Sequence, residues 1–82
     1  MTEQEIIEKV NAFIARKAGV EASAIRPDTD MEDDLHIDYI QRLELAVELE
    51  QELPITIPGH EAVEMFYVQQ WYDLVDRNMN TD

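Results

Sequence analysis

The apolar residues of this chain recur at helical spacing in separate segments, and this pattern restricts the possible folds most. At the N-terminus, Thr2 and Glu5 have the spacing of a capping box, in which each side chain satisfies the backbone N–H of the other residue. The next apolar residues share one helical face: Ile6, Ile7, Val10, Phe13 and Ile14. Lys17 suits the negative end of a helix dipole, and Gly19 suits a left-handed terminator. These features predict a first helix over residues 3–17.

The stretch from Val20 to Ile37 loses this period, and we expect a long loop there. Pro27 interrupts any helix, and acidic residues crowd the positions that follow it. Thr29 and Glu32 have the spacing to cap a single helical turn within the loop. Widely spaced apolar residues are expected to pin the loop to the core: Val20, Ile25, Met31 and Leu35. Loops of this length are uncommon in small domains and tend to be functional or family-specific.

A second helix is predicted from Tyr39 to Leu53, with Asp38 as its N-cap and Pro54 as its stop. Its apolar residues are expected to form one stripe, namely Ile40, Leu43, Ala46 and Val47, widened by Leu45, Leu49 and Leu53. A face this broad implies that the helix packs against more than one neighbour.

The rest of the chain predicts an extended piece at Ile55–Ile57, a brief helical turn within Gly59–Met65 and a last helix over residues 67–77. The last helix is expected to bury Val68, Trp71 or Tyr72, and Val75. We expect one domain over residues 1–77 and a flexible polar tail over residues 78–82. The predicted fold class is therefore all-α, a small bundle with a long loop between helices one and two.

The charge of the chain restricts its partners. The 82 residues carry 19 acidic and 6 basic side chains, which gives a formal net charge of -13. This excludes nucleic acid as a natural partner, because phosphate binding needs a positive surface, and it disfavours anionic membranes. We expect no membrane insertion, because no apolar run approaches the ~18 residues of a membrane span. Since cysteine is absent and no secretory signal pattern is present, a cytoplasmic domain with basic partners is expected.

The sequence resembles the acyl carrier protein family over nearly its whole length. The run from Leu35 to Ile40 (Leu-His-Ile-Asp-Tyr-Ile) stands where the family has Leu-Gly-x-Asp-Ser-Leu, and Ile55–Pro58 stands where it has Ile-x-Ile-Pro. The resemblance implies a bundle of three longer helices and one short helix. It also implies a carrier, not an enzyme, of fatty acid, polyketide or peptide biosynthesis. Such carriers bear a 4'-phosphopantetheine arm on the serine that begins helix two.

Residue 39 departs from the family pattern. Tyr39 stands at the position of the attachment serine, next to Asp38, and His36 stands at the position of the family's glycine. A phenol is far larger than an aliphatic hydroxyl, and a site shaped for serine should reject it. The other hydroxyl residues lie elsewhere in the chain: Ser23, Thr29 and Thr56. We therefore expect no bound cofactor and no catalytic residue, and we interpret Tyr39 as a packed surface residue or an aromatic anchor for a partner.

Helix two is expected to carry the surface that docks on a partner. Glu44, Val47 and Glu50 match the positions at which the family presents its interface, and Asp38 and Glu48 extend that surface. The alternative is an ordinary solvated helix face, with Asp38 serving only as an N-cap that pairs with Arg42. Uncharged and basic residues dilute the charge and suggest a narrower set of partners: Gln41, Arg42 and Gln51.

Other candidate sites are weaker. The acidic loop from Asp28 to Asp34 lacks the glycine and ligand spacing of a calcium loop, so weak calcium or magnesium binding is only an alternative to a solvated loop. We expect no metal site at His36 and His60, which do not have the spacing of ligands. The C-terminal cluster is interpreted as part of the core and its rim, and it consists of Met65, Phe66, Tyr67, Trp71 and Tyr72. Any part of it that stays exposed would allow weak self-association of an otherwise monomeric protein.

Three hypotheses about function follow. In the first, the chain is a non-loaded, protein-binding or regulatory homologue that docks through helix two on a basic surface of a biosynthetic enzyme or assembly protein. In the second, it is a working phosphopantetheine-dependent carrier whose attachment site is altered in this particular sequence. In the third, it is an unrelated acidic bundle with a coincidental similarity, a hypothesis that the fold tests.

Overall fold

A computed structural model describes residues 2–79 of the chain. Four α-helices follow one another: α1 (Glu3–Ala18), α2 (Tyr39–Glu52), α3 (Gly59–Ala62) and α4 (Val68–Met79). A short 3-10 helix at Ala22–Ala24 lies in the long connection between α1 and α2. The described residues form no strand, only an isolated antiparallel bridge between Asp30 and Tyr67. The predicted all-α bundle of three longer helices and one short helix is confirmed.

The N- and C-terminal caps of α1 are those that the sequence predicts. The backbone N–H of Glu5 donates to Thr2 Oγ1 at 3.2 Å, and the backbone N–H of Thr2 donates to Glu5 Oε1 at 3.0 Å. The hydrogen bond that the backbone N–H of Thr2 donates to the Glu5 carboxylate is the main reason that the pKa of this carboxyl is lowered. Gly19 has a φ of 73° and donates its N–H to Ala15 O at 2.8 Å, so it ends the helix in the left-handed conformation. Local chemistry alone therefore fixes both ends of α1.

The core lies where α1 packs against both α2 and α4, and α2 packs against α3. Trp71 is fully buried, and its indole N–H donates to Met65 O at 3.0 Å. Because that donor is satisfied, the large ring stabilises the core without leaving a buried polar group unpaired. The buried apolar side chains of the longer helices include Ile6, Val10, Ile14, Leu45, Leu49, Val68, Leu74 and Val75.

The loop between α1 and α2 is tied to the start of α4 by backbone hydrogen bonds. Met31 N donates to Phe66 O at 2.7 Å, and Gln69 N donates to Pro27 O at 2.8 Å. As predicted, Ile25, Met31 and Leu35 are buried beneath the loop, but Val20 is 40% exposed and does not pin it. One turn inside the loop is capped by Asp30, whose Oδ1 accepts the backbone N–H groups of residues 32 and 33.

Thr29 was expected to cap that turn, and this prediction is wrong. Its hydroxyl accepts the backbone N–H of Arg26 at 2.9 Å, and the residue is buried. The carboxylate of Asp30, one residue later, is better placed because it accepts two backbone N–H groups at once.

The C-terminal helix is longer than the sequence suggests. The last helix was predicted to stop at residue 77, but α4 continues to Met79, whose side chain packs against the core. Asn78 Nδ2 donates to Leu74 O at 2.7 Å within the helix. Residues 78 and 79 of the predicted tail are thus helical, and residues 80–82 lie outside the described residues. Within residues 2–79, every helix is too short or too polar to cross a bilayer.

Candidate functional site

The first turn of α2 is built by a capping box. Asp38 Oδ1 accepts the backbone N–H of Gln41 at 2.8 Å, and Gln41 Oε1 accepts the backbone N–H of Asp38 at 3.0 Å. Asp38 is the N-cap, as predicted. Tyr39 is the first helical residue and is 56% exposed, so its ring faces solvent above the helix start. The phenol is therefore presented on the surface and is not part of the core.

Arg42 is buried, and its expected pairing with Asp38 is wrong. Its Nε donates to Val63 O at 3.0 Å, and Nη1 donates to Ile37 O at 2.9 Å and to Glu32 Oε2 at 3.2 Å. Only 3% of Arg42 is exposed. The single side chain thus ties α2 to the preceding loop and to the segment after α3, and it does not dilute the charge of an outer face.

The position of Arg42 follows from a pattern that sequence reasoning overlooked. Arg42 precedes Leu45 by three residues and Leu49 by seven, so it shares the helix face that is buried. Its guanidinium also lies 4.8 Å from the centre of the Phe66 ring, which covers it on one side. An arginine at a buried helical position needs several acceptors, and the loop carbonyls supply them.

His36 has a left-handed backbone at the turn into α2. Its φ is 57°, and among the described residues it is the only non-glycine residue with a positive φ. Its N–H donates to Glu32 O at 3.0 Å, which closes the turn before Ile37. A left-handed conformation is costly for a residue with a Cβ, and this explains why the family pattern has glycine here.

The outer face of α2 carries an apolar stripe that the sequence assigned to the core. Ile40 is 58% exposed, Leu43 37% and Val47 48%, while Leu45, Ala46 and Leu49 are buried. The neighbouring helices cover only one side of α2, so the prediction that the broad apolar face packs throughout is wrong. We call the exposed residues Ile40, Leu43 and Val47 the outer stripe. The outer stripe is an exposed apolar surface on which a partner protein could pack.

The acidic residues beside the outer stripe are not equivalent. Lys17 Nζ lies 2.8 Å from Glu48 Oε2 and 3.4 Å from Glu44 Oε1, so one cation on α1 is shared by two carboxylates of α2. The hydrogen bond that Lys17 donates to Glu48 is the main reason that the pKa of Lys17 is raised. Glu50 lies elsewhere, half-buried in a shallow groove with Pro54. Glu44 and Glu48 share one cation and Glu50 lies in a different groove, so the expected docking residues do not form a single acidic cluster.

The comparison with known proteins identifies the family. The family described as "Phosphopantetheine attachment site" matches residues 8–66. This chain belongs to the acyl carrier protein family. An acyl carrier protein of Chlorobium phaeobacteroides is 40% identical over 75 residues, which cover 92% of this chain and 96% of the relative. An acyl carrier protein of Cyanidioschyzon merolae is 35% identical over 92% of this chain and 82% of its own length.

The family assignment decides several of the expectations. Acyl carrier proteins are carriers and not enzymes, they interact with biosynthetic enzymes, and they normally carry 4'-phosphopantetheine. The hypothesis of an unrelated bundle with a coincidental similarity is wrong, because the similarity extends over 92% of the chain. In this chain, Asp38 and Tyr39 lie at the start of α2. The outer stripe lies along the exposed side of the same helix.

The acidic loop forms no compact ligand cluster. Asp34 Oδ2 accepts the backbone N–H of Asp30 at 2.8 Å, so carboxylates of the loop are used to shape its turn. Among the described residues, no three His, Asp or Glu side chains come together in a group that could hold a metal ion. The carboxylates of Asp30 and Asp34 bind backbone N–H groups and that of Glu32 binds Arg42, so their positions do not support the alternative of weak calcium or magnesium binding.

Proposed function

We propose that this acyl carrier protein homologue is not loaded with phosphopantetheine and acts as a protein-binding or regulatory module. In this proposal, α2 docks on a basic surface of an enzyme or assembly protein of acyl, polyketide or peptide biosynthesis. The observation that carries the proposal is the exposed phenol of Tyr39 at the head of the outer stripe.

The side chains at the start of α2 do not suit the family's arm. Attachment needs a small aliphatic hydroxyl, and the first turn offers Tyr39 and Ile40 instead. The hydroxyl of Thr29 is buried and already accepts a hydrogen bond, and Thr56 follows the other end of α2. The proposed function therefore does not use the arm.

The outer stripe supports docking because it exposes apolar area next to charge. Exposed apolar side chains gain roughly 25 cal/mol per Å² of area that a partner covers. The carboxylates of Glu44 and Glu48 stand beside the stripe and favour a basic partner, although Lys17 screens part of their charge. Apolar contacts would then supply affinity, and the carboxylates would supply approach and selectivity.

Loading by a broad phosphopantetheinyl transferase tests the absence of the arm. After incubation with transferase and coenzyme A, we expect intact-mass spectrometry to show the unmodified chain. A mass gain equal to one arm would overturn the proposal and favour a working carrier. The Tyr39→Ser variant is the matched positive control, because it restores a hydroxyl and leaves the Asp38–Gln41 capping box in place.

The same variant provides a measurement of the docking surface. In the Tyr39→Ser background, we expect Glu44→Gln to lower kcat/KM for loading by up to about fivefold, because an exposed ion pair is worth ~0.2–1 kcal/mol. Val47→Thr removes apolar contact area and should lower kcat/KM as well. Glu21→Gln is the control, because Glu21 is exposed in the loop and its side chain makes no cap hydrogen bond. Equal losses of kcat/KM for Glu21→Gln and Glu44→Gln would mean that binding depends only on the total negative charge. That result would contradict a defined docking face.

A further inference from the structure

A second concave surface lies between α1 and α4, away from the outer stripe. It has a volume of about 270 Å³ and is lined by residues of α1, α4 and the loop at Pro27, with no residue of α2. We call it the α1–α4 groove. Its volume is below the roughly 300–1,000 Å³ of typical small-molecule sites, so it suits one extended side chain better than a bulky ligand.

The lining of the groove is apolar beneath and polar at one edge. Ile6, Ile7, Pro27 and the ring of Tyr72 line it, and Ile6 and Tyr72 are buried. The hydroxyl of Tyr72 donates to Asn11 Oδ1 at 2.5 Å and is satisfied within the protein. The apolar lining can therefore pack against a methylene chain without breaking an internal hydrogen bond.

The ionisable side chains that line the groove above this apolar lining are all acidic. Glu3 on α1 and Asp73 and Asp76 on α4 line it, and the lining includes no lysine, arginine or histidine. Asp73 Oδ1 accepts from Gln69 Nε2 at 3.0 Å, which orients the carboxylate but does not neutralise it. A groove that combines apolar side chains with carboxylates is complementary to a cation on an aliphatic stem.

We propose that the α1–α4 groove receives an arginine or lysine side chain from a basic, partly apolar segment of a partner protein. The methylene stem packs over Ile6 and Ile7, and the cationic head lies between Glu3 and Asp73. Long basic side chains divide in this way between apolar and polar surroundings. A basic partner suits the groove better than a second copy of this chain, because two molecules of net charge -13 repel each other.

The proposal goes beyond docking through α2 and is independent of it. Because no α2 residue lines the groove, a partner can occupy both surfaces, and two linked contacts strengthen binding more than either alone. Variants in the groove should leave loading of the Tyr39→Ser variant unchanged.

A pair of capped peptides tests the groove by NMR. The probe is acetyl-Ala-Leu-Arg-Leu-Ala-amide, and the control peptide has citrulline in place of arginine, which keeps the shape and removes the charge. In titrations of the 15N-labelled full chain, we expect the arginine peptide to shift the backbone amides of Ile7, Asn11 and Tyr72. The citrulline peptide should shift them far less. Equal shifts by both peptides, or no shift at these amides, would overturn the proposal.

Variants separate a defined site from general acidity. Asp73→Asn keeps an oxygen that can accept from Gln69 and removes one charge, so we expect the fold to persist and the peptide affinity to fall about two- to fivefold. Glu3→Gln should act in the same direction, and Glu21→Gln, away from the groove, should not change the affinity. An equal loss at Glu21 would overturn the proposal, as would a peptide affinity unchanged by both groove variants.

Discussion

Replacing His36 with glycine is expected to stabilise this protein. His36 holds a φ of 57°, and its side chain is exposed, so the substitution removes backbone strain and little packing. The left-handed conformation costs a residue with a Cβ about 1–2 kcal/mol. Glycine recovers that cost but loses about 0.5–1 kcal/mol through the greater freedom of the unfolded chain. The net gain in the free energy of unfolding therefore lies between about 0 and 1.5 kcal/mol, and the middle of this range is about 0.5–1 kcal/mol.

Thermal and urea unfolding, followed by far-UV circular dichroism, measure this gain. For a domain of this size, 1 kcal/mol corresponds to about 4–8 °C, so we expect His36→Gly to raise Tm by about 2–8 °C. His60→Gly is the matched control, because His60 is exposed within the helical turn α3. There glycine relieves no strain and should destabilise by about 0.5–1 kcal/mol. If both substitutions lower Tm, the strain assigned to residue 36 does not exist.

Further predictions concern single contacts. Arg42→Ala leaves two loop carbonyls without their donor, so it should lower the urea-derived free energy of unfolding by about 2–4 kcal/mol. Glu32→Gln changes the exposed end of the ion pair with Arg42 and should lower that free energy by less than about 1 kcal/mol. Similar losses for both would refute this asymmetry. Because the folded pKa of Glu5 is lowered from 4.5, its contribution is present above pH 4.5 and lost at lower pH, so Glu5→Gln should flatten the acid limb of a stability–pH curve. Because the folded pKa of Lys17 is raised from 10.5, its contribution is complete below that pH and lost as pH rises through the folded value. Lys17→Met should therefore flatten the alkaline limb, measured in a Tyr72→Phe background because burial also raises the pKa of Tyr72. If Glu5→Gln leaves the acid limb unchanged, the contribution assigned to Glu5 is wrong. If Lys17→Met leaves the alkaline limb unchanged, the contribution assigned to Lys17 is wrong.

Parts of the candidate site were predictable because their chemistry is local. Asp38 could be recognised as an N-cap from its own neighbours, and Tyr39 as the residue that follows it. The contact of Lys17 with Glu44 and Glu48 could not be recognised in this way, because it joins residues 27 and 31 positions apart. Only the packing of α1 against α2 brings that cation to the acidic face.

The backbone of His36 illustrates the same limit. The resemblance to a family with glycine at this position marked the residue as unusual, but only the turn into α2 assigns it a positive φ. The hydrogen bond from its N–H to Glu32 O and the neighbouring Arg42 contacts hold the residue in that conformation. Tertiary contacts can thus maintain a local strain that the residue alone would avoid.

The sequence by itself determined the ends of α1, the start of α2 and the acidic character of the surface. Capping groups and charges act within a few residues, so they can be identified without knowing the neighbours of a helix. The tertiary structure alone decided which side of α2 is buried, and it placed Arg42 inside and Ile40 outside. A helix with apolar residues around most of its circumference has no single preferred orientation, and the side chains of distant segments select which stripe they cover.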